Sequence, residues 1–109
     1  MTIQAKVLGQ LHPAAATPGT LYTVPAGRQA ICSSLIIANV SSANTTFRVS
    51  IRVGGEAVNN KQYMYFDVTI AGNDTFIATI GVTLAAADVV TVQSASGNLT
   101  FQLFGQEVQ

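Results

Sequence analysis

The chain has 109 residues, of which 49% are hydrophobic and 9% are charged, and its five basic and five acidic residues give no net charge. This length indicates a single domain with enough residues for a hydrophobic core. The apolar content excludes an intrinsically disordered chain.

The low charge content favours a protein that associates with other polypeptides. An ordinary soluble domain carries about 25% charged residues, and a folded monomer of this mass exposes about 5,800 Å² of surface. Charged side chains at 9% of the residues cover such a surface sparsely, and a net charge of zero favours association. We therefore expect much of the surface to be buried in an assembly. The alternative is a monomer coated with Thr, Ser, Asn and Gln.

The N-terminal quarter predicts an arm, a connector and one short strand. Residues 2–10 are compatible with a strand or an extended arm, and the prolines and glycine of residues 13–19 mark a connector. Leu21–Val24 is a short strand that ends at Pro25. We place the domain boundary after residue 19, with an arm and connector over 1–19 and a sandwich domain over 20–109. The arm either adds a strand to a neighbouring subunit or completes its own sheet.

Residues 28–53 predict two strands. The apolar run from Arg28 to Val40 is typical of a strand buried on both faces. Residues 47–53 alternate, with Phe47, Val49, Ile51 and Val53 facing inward and Arg48, Ser50 and Arg52 facing outward. The polar cluster at residues 41–44 predicts a turn, so we expect these two strands to form a hairpin.

The second half of the chain continues the pattern of short strands. Residues 62–70 alternate, which places Met64, Phe66, Val68 and Ile70 inside and Tyr63, Tyr65, Asp67 and Thr69 outside. Further strands are predicted at 75–80, 89–92 and 99–104, separated by turn residues. The chain thus predicts an all-β fold: a single β-sandwich, jelly-roll-like, with about seven to eight short antiparallel strands.

The predicted outer faces of two strands supply the candidate interface residues, which are Tyr63, Tyr65, Asp67, Arg48 and Arg52. Aromatic residues and arginine are enriched in the centres of protein interfaces. Two alternatives remain open for the tyrosine pair: it covers the edge of the core, or it binds a carbohydrate together with Asp67.

The sequence offers no catalytic, cofactor-binding or metal-binding residues, and we interpret the chain as not an enzyme. His12 stands outside any recognisable catalytic motif, and the chain lacks a Gly-x-Ser-x-Gly elbow and a phosphate-binding glycine loop. Cys32, the only cysteine, is expected to be a buried, unreactive thiol. One cysteine and one histidine are too few for a structural zinc site. One alternative stays open, a pair of acidic side chains that converge in space, from the set Glu56, Asp67, Asp74, Asp88 and Glu107.

Nucleic acids and membranes are not expected partners. The basic residues are scattered and form no stripe of the kind that binds phosphates; they are Lys6, Arg28, Arg48, Arg52 and Lys61. No apolar run is long enough to cross a bilayer. The first residues do not have the pattern of a signal peptide, so we expect synthesis in a cytoplasm.

Several segments together resemble a known group of proteins. They are Leu21–Gly27 (LYTVPAG), Ser33–Asn39 (SSLIIAN), Thr45–Val49 (TTFRV), Gly72–Phe76 (GNDTF) and Ala87–Val92 (ADVVTV). Over residues 20–104 the chain resembles small virion structural proteins of tailed bacteriophages. These motifs are structural, so the resemblance transfers no catalytic residue.

The resemblance implies a β-sandwich subunit located in the virion. Its first expected role is a head decoration or cement protein, and the alternatives are a neck, tail or fibre accessory protein. Expected partners are further copies of the chain, with a trimer as one symmetry, and other virion proteins such as the major capsid protein. A binding module for host glycans is the competing function from another class.

Overall fold

The computed structural model describes all 109 residues, Met1 to Gln109, and is built almost entirely from β-strands. The strands are β1 (Ile3–Leu11), β2 (Gly19–Thr23), β3 (Gln29–Asn39), β4 (Thr45–Arg52), β5 (Tyr63–Ile70), β6 (Thr75–Leu84), β7 (Val89–Ser94) and β8 (Leu99–Val108). Two single turns of 3-10 helix, Val53–Gly55 and Asn60–Gln62, lie between β4 and β5. The predicted all-β class is confirmed.

The strands form two four-stranded sheets that pack face to face. Sheet A has the order β1-β8-β3-β6 and sheet B has the order β2-β7-β4-β5, and every neighbouring pair is antiparallel. Successive strands pass between the sheets, except at the β4–β5 connection, and this order is that of a jelly roll. The sequence-based sandwich is therefore confirmed, with its strand order now assigned.

The core lies between the two sheets. It is filled by every second residue of the strands, those whose side chains face inward. Its largest fully buried side chains include Phe47, Phe101, Leu35 and Ile37. The alternation predicted for β4 is correct as far as Ile51. Val53 was expected to face inward, but it lies in the first 3-10 turn, where the chain has left the sheet, and is 66% exposed.

The predicted hairpin between the third and fourth strands is wrong, because β3 belongs to sheet A and β4 to sheet B. The buried side chain of Asn39 holds the crossing between them. Its Oδ1 accepts hydrogen bonds from the backbone N–H and the hydroxyl of Ser41, and its Nδ2 donates to the carbonyls of Ala43 and Ala71. Both strands can then turn their apolar faces towards each other across the core.

The N-terminal segment is part of the sandwich. Residues 3–11, placed by the sequence in an arm, form β1 and pair with β8 along its whole length. Thr2 and Gln109 also exchange backbone hydrogen bonds of 3.1 and 2.9 Å. Of the two alternatives for this segment, the single chain adopts the one in which it completes its own sheet.

Candidate interaction surfaces

The outer face of sheet A carries no ionised side chain. Residues directly opposite each other in an antiparallel sheet share a face, so the register assigns this surface strand by strand. It consists of Ile3, Ala5, Val7 and Gln10 from β1, Thr100, Gln102, Phe104, Gln106 and Val108 from β8, Gln29, Ile31, Ser34, Ile36 and Ala38 from β3, and Thr75, Ile77, Thr79 and Thr83 from β6. We call this surface the uncharged face.

The uncharged face explains the apolar run in β3 and corrects its interpretation. The run was expected to be buried on both faces, but in the single chain only the inward residues, such as Leu35 and Ile37, are fully buried. The outward side chain of Ile31 is 37% exposed, and Ile36 is half-buried. A central strand with apolar residues on its solvent side is typical of a sheet that something else covers.

The ten charged residues all lie elsewhere on a molecule whose exposed area is 5517 Å². Sheet B and the loop across it carry Arg48, Arg52, Glu56, Lys61 and Asp67, whereas Lys6, Arg28 and Glu107 meet at one end of the sandwich, and Asp74 and Asp88 lie in turns. Half of the charged residues therefore lie on the sheet B side, and the other half lie at one end of the sandwich or in turns. Four strands at about 4.8 Å spacing and about 33 Å length give the uncharged face roughly 600 Å², somewhat less than one partner's share of a standard protein interface.

Three of the five predicted interface residues come together on the outer side of sheet B. Arg48 donates from Nε and Nη2 to the two carboxylate oxygens of Asp67, at 2.6 and 3.2 Å. The guanidinium carbon lies 4.2 Å from the ring centre of Phe66, and Tyr63 meets Phe66 edge to face with ring centres 4.9 Å apart. The Arg48 guanidinium lowers the pKa of Asp67, and the Asp67 carboxylate raises that of Arg48.

Tyr65, in contrast, points inward, which corrects the predicted faces of β5. Its ring packs 5.3 Å from Phe76 and 6.0 Å from Phe47, while Phe66, expected inside, is 53% exposed. The register of β5 against β4 shifts between Val68 and Tyr65, where one extra residue on β5 forms a β-bulge. Asp67 lies in this bulge with a φ of +52°. The sequence signal for the bulge was the aspartate inside an alternating strand, since Asp is depleted in strands and tolerates a positive φ.

Arg52, the remaining predicted interface residue, forms hydrogen bonds within its own chain. Its Nε donates to the carbonyl of Glu56 at 2.7 Å and its Nη2 to the carbonyl of Gly55 at 3.0 Å. These bonds hold the loop over residues 53–62 against sheet B, and Ser50 on the outer side of β4 is buried. Asn59 and Gln62 complete the loop with a capping box around the second 3-10 turn. Arg52 therefore stabilises the loop.

Glu107, one of the acidic residues considered for a converging pair, instead joins residues from both ends of the chain. Glu107 is 3% exposed and accepts hydrogen bonds from Tyr22 Oη at 2.6 Å, Arg28 Nη1 at 2.9 Å and Lys6 Nζ at 3.3 Å. The bond from Tyr22, together with those from Arg28 and Lys6, lowers the pKa of Glu107. Burial and the nearby carboxylate raise the pKa of Tyr22. The inward alternation of Leu103, Gly105 and Glu107 was the sequence signal for this site.

The remaining chemistry-bearing residues are dispersed. His12 Nε2 lies 2.6 Å from the carbonyl oxygen of Gly97, beside an open groove whose lining contains no carboxylate. No two acidic side chains share a hydrogen-bonding partner, and no three His, Cys, Asp or Glu side chains form a group able to hold a metal ion. None of the helical segments has the length and apolar character needed to span a membrane.

Comparison with known proteins adds no family assignment. No protein-family model matches the chain, and no curated protein is significantly similar to it.

Proposed function

We propose that this chain is a non-enzymatic structural protein of a tailed-phage virion, and most directly a decoration subunit of the head. The sequence resemblance over residues 20–104 supports the virion context. The observation that carries the assembly role is the uncharged face, which collects apolar and neutral polar side chains on one side of the sandwich while every charge lies elsewhere.

The proposed mechanism is burial of the uncharged face against neighbouring shell protein. Desolvating an unpaired charge costs several kcal/mol, whereas hydroxyl and amide groups can exchange water for hydrogen bonds across an interface. Within the chain, two amides of this face already form such a bond: Gln10 on β1 donates to Gln102 on β8 at 2.9 Å. Many copies on one shell would multiply a contact of moderate size through effective concentration.

A matched pair of lysine substitutions tests the role of the face. Gln106 lies on the uncharged face in β8, and Thr69 lies exposed on the outer side of sheet B, in β5 and opposite the uncharged Thr46. We expect Gln106→Lys to reduce the number of copies on purified phage particles by at least about tenfold, since each 1.4 kcal/mol changes an equilibrium constant tenfold. Thr69→Lys should leave the copy number at the wild-type level.

The measurement is quantitative mass spectrometry of purified particles of the phage that encodes the chain, with circular dichroism of each isolated variant as the folding control. Absence of the wild-type protein from those particles would overturn the proposal. Equal retention of both variants would overturn the assignment to the uncharged face. Cryo-electron microscopy then gives the position: a regular array on the head supports decoration, and a ring at the neck or tail replaces it with the accessory role.

The competing glycan hypothesis receives less support from the geometry. Its three residues were Tyr63, Tyr65 and Asp67, but Tyr65 points into the core and both carboxylate oxygens of Asp67 are held by Arg48. The same guanidinium lies over the ring of Phe66, the most exposed aromatic nearby.

A further inference from the structure

The free edge of β6 has the properties of a strand that pairs with another strand. β6 is the last strand of sheet A and pairs only with β3, so its other side presents unpaired backbone groups. Its ten residues, Thr75–Leu84, include no charged residue and no proline. Ile77 in this strand is 68% exposed, more than any other large apolar side chain in a strand.

The other three edge strands carry the features that discourage such pairing. Charges, prolines, bulges and short length all protect sheet edges. β1 contains Lys6 and a register shift after Val7, β2 has only five residues and follows Pro18, and β5 contains Asp67 in a bulge. β6 has one irregularity, near Gly81, and its register against β3 is regular from Thr75 to Thr79.

We propose that β6 pairs antiparallel with β6 of a second copy of this chain, across a two-fold axis at Ile77. This inference deepens the proposed function, on which it rests, by naming the contact between copies. Pairing centred on Ile77 sets Ile77 against its own counterpart, Thr75 against Thr79, and the large Phe76 against the small Ala78. An isologous contact must be self-complementary, and this segment is uncharged and matches bulky with small side chains.

Packing against the core also fixes the conformation of β6 before a partner binds. Phe76 points inward and packs 5.0 Å from Phe47 and 5.3 Å from Tyr65, measured between ring centres. The strand therefore loses little conformational freedom when a partner binds. The product is one continuous eight-stranded sheet, since each copy contributes the four strands of sheet A, and the two uncharged faces become one surface of twice the area.

Cysteine cross-linking tests the register directly. Residues directly opposite each other in antiparallel strands have Cα atoms about 4.5–5.5 Å apart, within the range that a disulfide spans. We expect Ile77→Cys to form a disulfide-linked dimer under mild oxidation, seen on non-reducing gels. Val53→Cys is the matched control, because Val53 is similarly exposed at 66% but lies outside both sheets, and it should stay monomeric on the gel. Buried Cys32 should not contribute.

Light scattering on Ile77→Lys and Val53→Lys gives the second readout. We expect the wild type and Val53→Lys to have at least twice the 11.4 kDa mass of one chain. Ile77→Lys should fall to half the wild-type mass, because like charges directly opposite each other destabilise strand pairing. Circular dichroism checks that each variant is folded.

The two proposals fail in different ways. A wild type that stays monomeric at high concentration, or a failure of Ile77→Cys to cross-link together with an unchanged mass for Ile77→Lys, overturns β6 pairing. Virion assembly through the uncharged face would still stand if Gln106→Lys alone reduced retention on particles. Conversely, cross-linking of Ile77→Cys in a protein absent from purified phage would support the pairing and overturn the virion role.

Discussion

Replacing Glu107 with glutamine should destabilise the fold by about 2 kcal/mol at neutral pH. A hydrogen bond to a charged group contributes about 1.5–3 kcal/mol and a neutral one about 1 kcal/mol. The short bond from Tyr22 is fully buried and loses this charge assistance, whereas Arg28 and Lys6 are about one-third exposed, so water compensates part of their loss. For a domain of this size the change corresponds to a melting temperature lower by roughly 8 °C.

The pH dependence distinguishes this explanation from a general loss of packing. The folded-state pKa of Glu107 lies below its unfolded-state value, so its ionisation stabilises the fold above the unfolded pKa of about 4.3. That contribution is lost as the pH falls through the folded value. The difference in melting temperature between wild type and Glu107→Gln should therefore be largest near pH 7 and shrink below about pH 4.

Differential scanning calorimetry from pH 3 to pH 8 measures this difference. Glu56→Gln is the control, because Glu56 also pairs with a lysine, at 3.4 Å from Lys61, but is exposed to solvent. We expect no measurable change in its melting temperature, as for most exposed ion pairs. A Glu107→Gln variant as stable as the wild type at pH 7, or a difference that does not vary with pH, would refute the reasoning.

Two further predictions concern sheet A. Gly105→Ala should prevent folding, since a Cβ at this position would lie 2.1 Å from the carbonyl oxygen of Ile31 and 2.9 Å from the Cα of Cys32. Circular dichroism of the purified variant checks this, and a folded Gly105→Ala would contradict the geometry. Gly27→Ala is the control, because a Cβ at Gly27 would have no atom within 4 Å. That variant should lose only the free energy that a non-glycine residue costs at a positive φ, about 1–2 kcal/mol. Burial raises the pKa of the Cys32 thiol to about 11, so an aromatic disulfide reagent at pH 8 should label it at least about 100-fold more slowly in the native protein than in urea. Complete labelling of the native protein within minutes would show that the thiol is accessible.

The sequence was sufficient for the fold class because the inward faces alternate cleanly. The alternation of β4, for example, placed Phe47 and Val49 correctly in the core. Sequence adjacency failed at the β3–β4 connection, where it suggested a hairpin. Whether a turn joins two strands of one sheet or crosses to the other sheet depends on contacts such as those of Asn39, which come from residues distant in the chain.

The candidate surfaces were harder to predict because bulges reverse the faces of a strand. One extra residue at Asp67 moved Tyr65 inside and Phe66 outside, and so replaced one member of the expected interface, Tyr65, with Phe66. The only sequence feature that indicated the uncharged face was the low number of charged residues, since the residues of this face come from four separate strands. Which apolar positions share a surface depends on the register, and no local pattern in the sequence specifies it.

The hydrogen bonds between Thr2 and Gln109 bring the amino and carboxyl ends of the chain together at a single corner of the sandwich. A peptide or fluorescent protein fused to either end would leave the molecule from the same place. The two ends could also be joined by a few glycines, with new ends opened in a turn on another side. The corner is therefore a suitable attachment point for a fused protein, and either fusion order should be accepted equally.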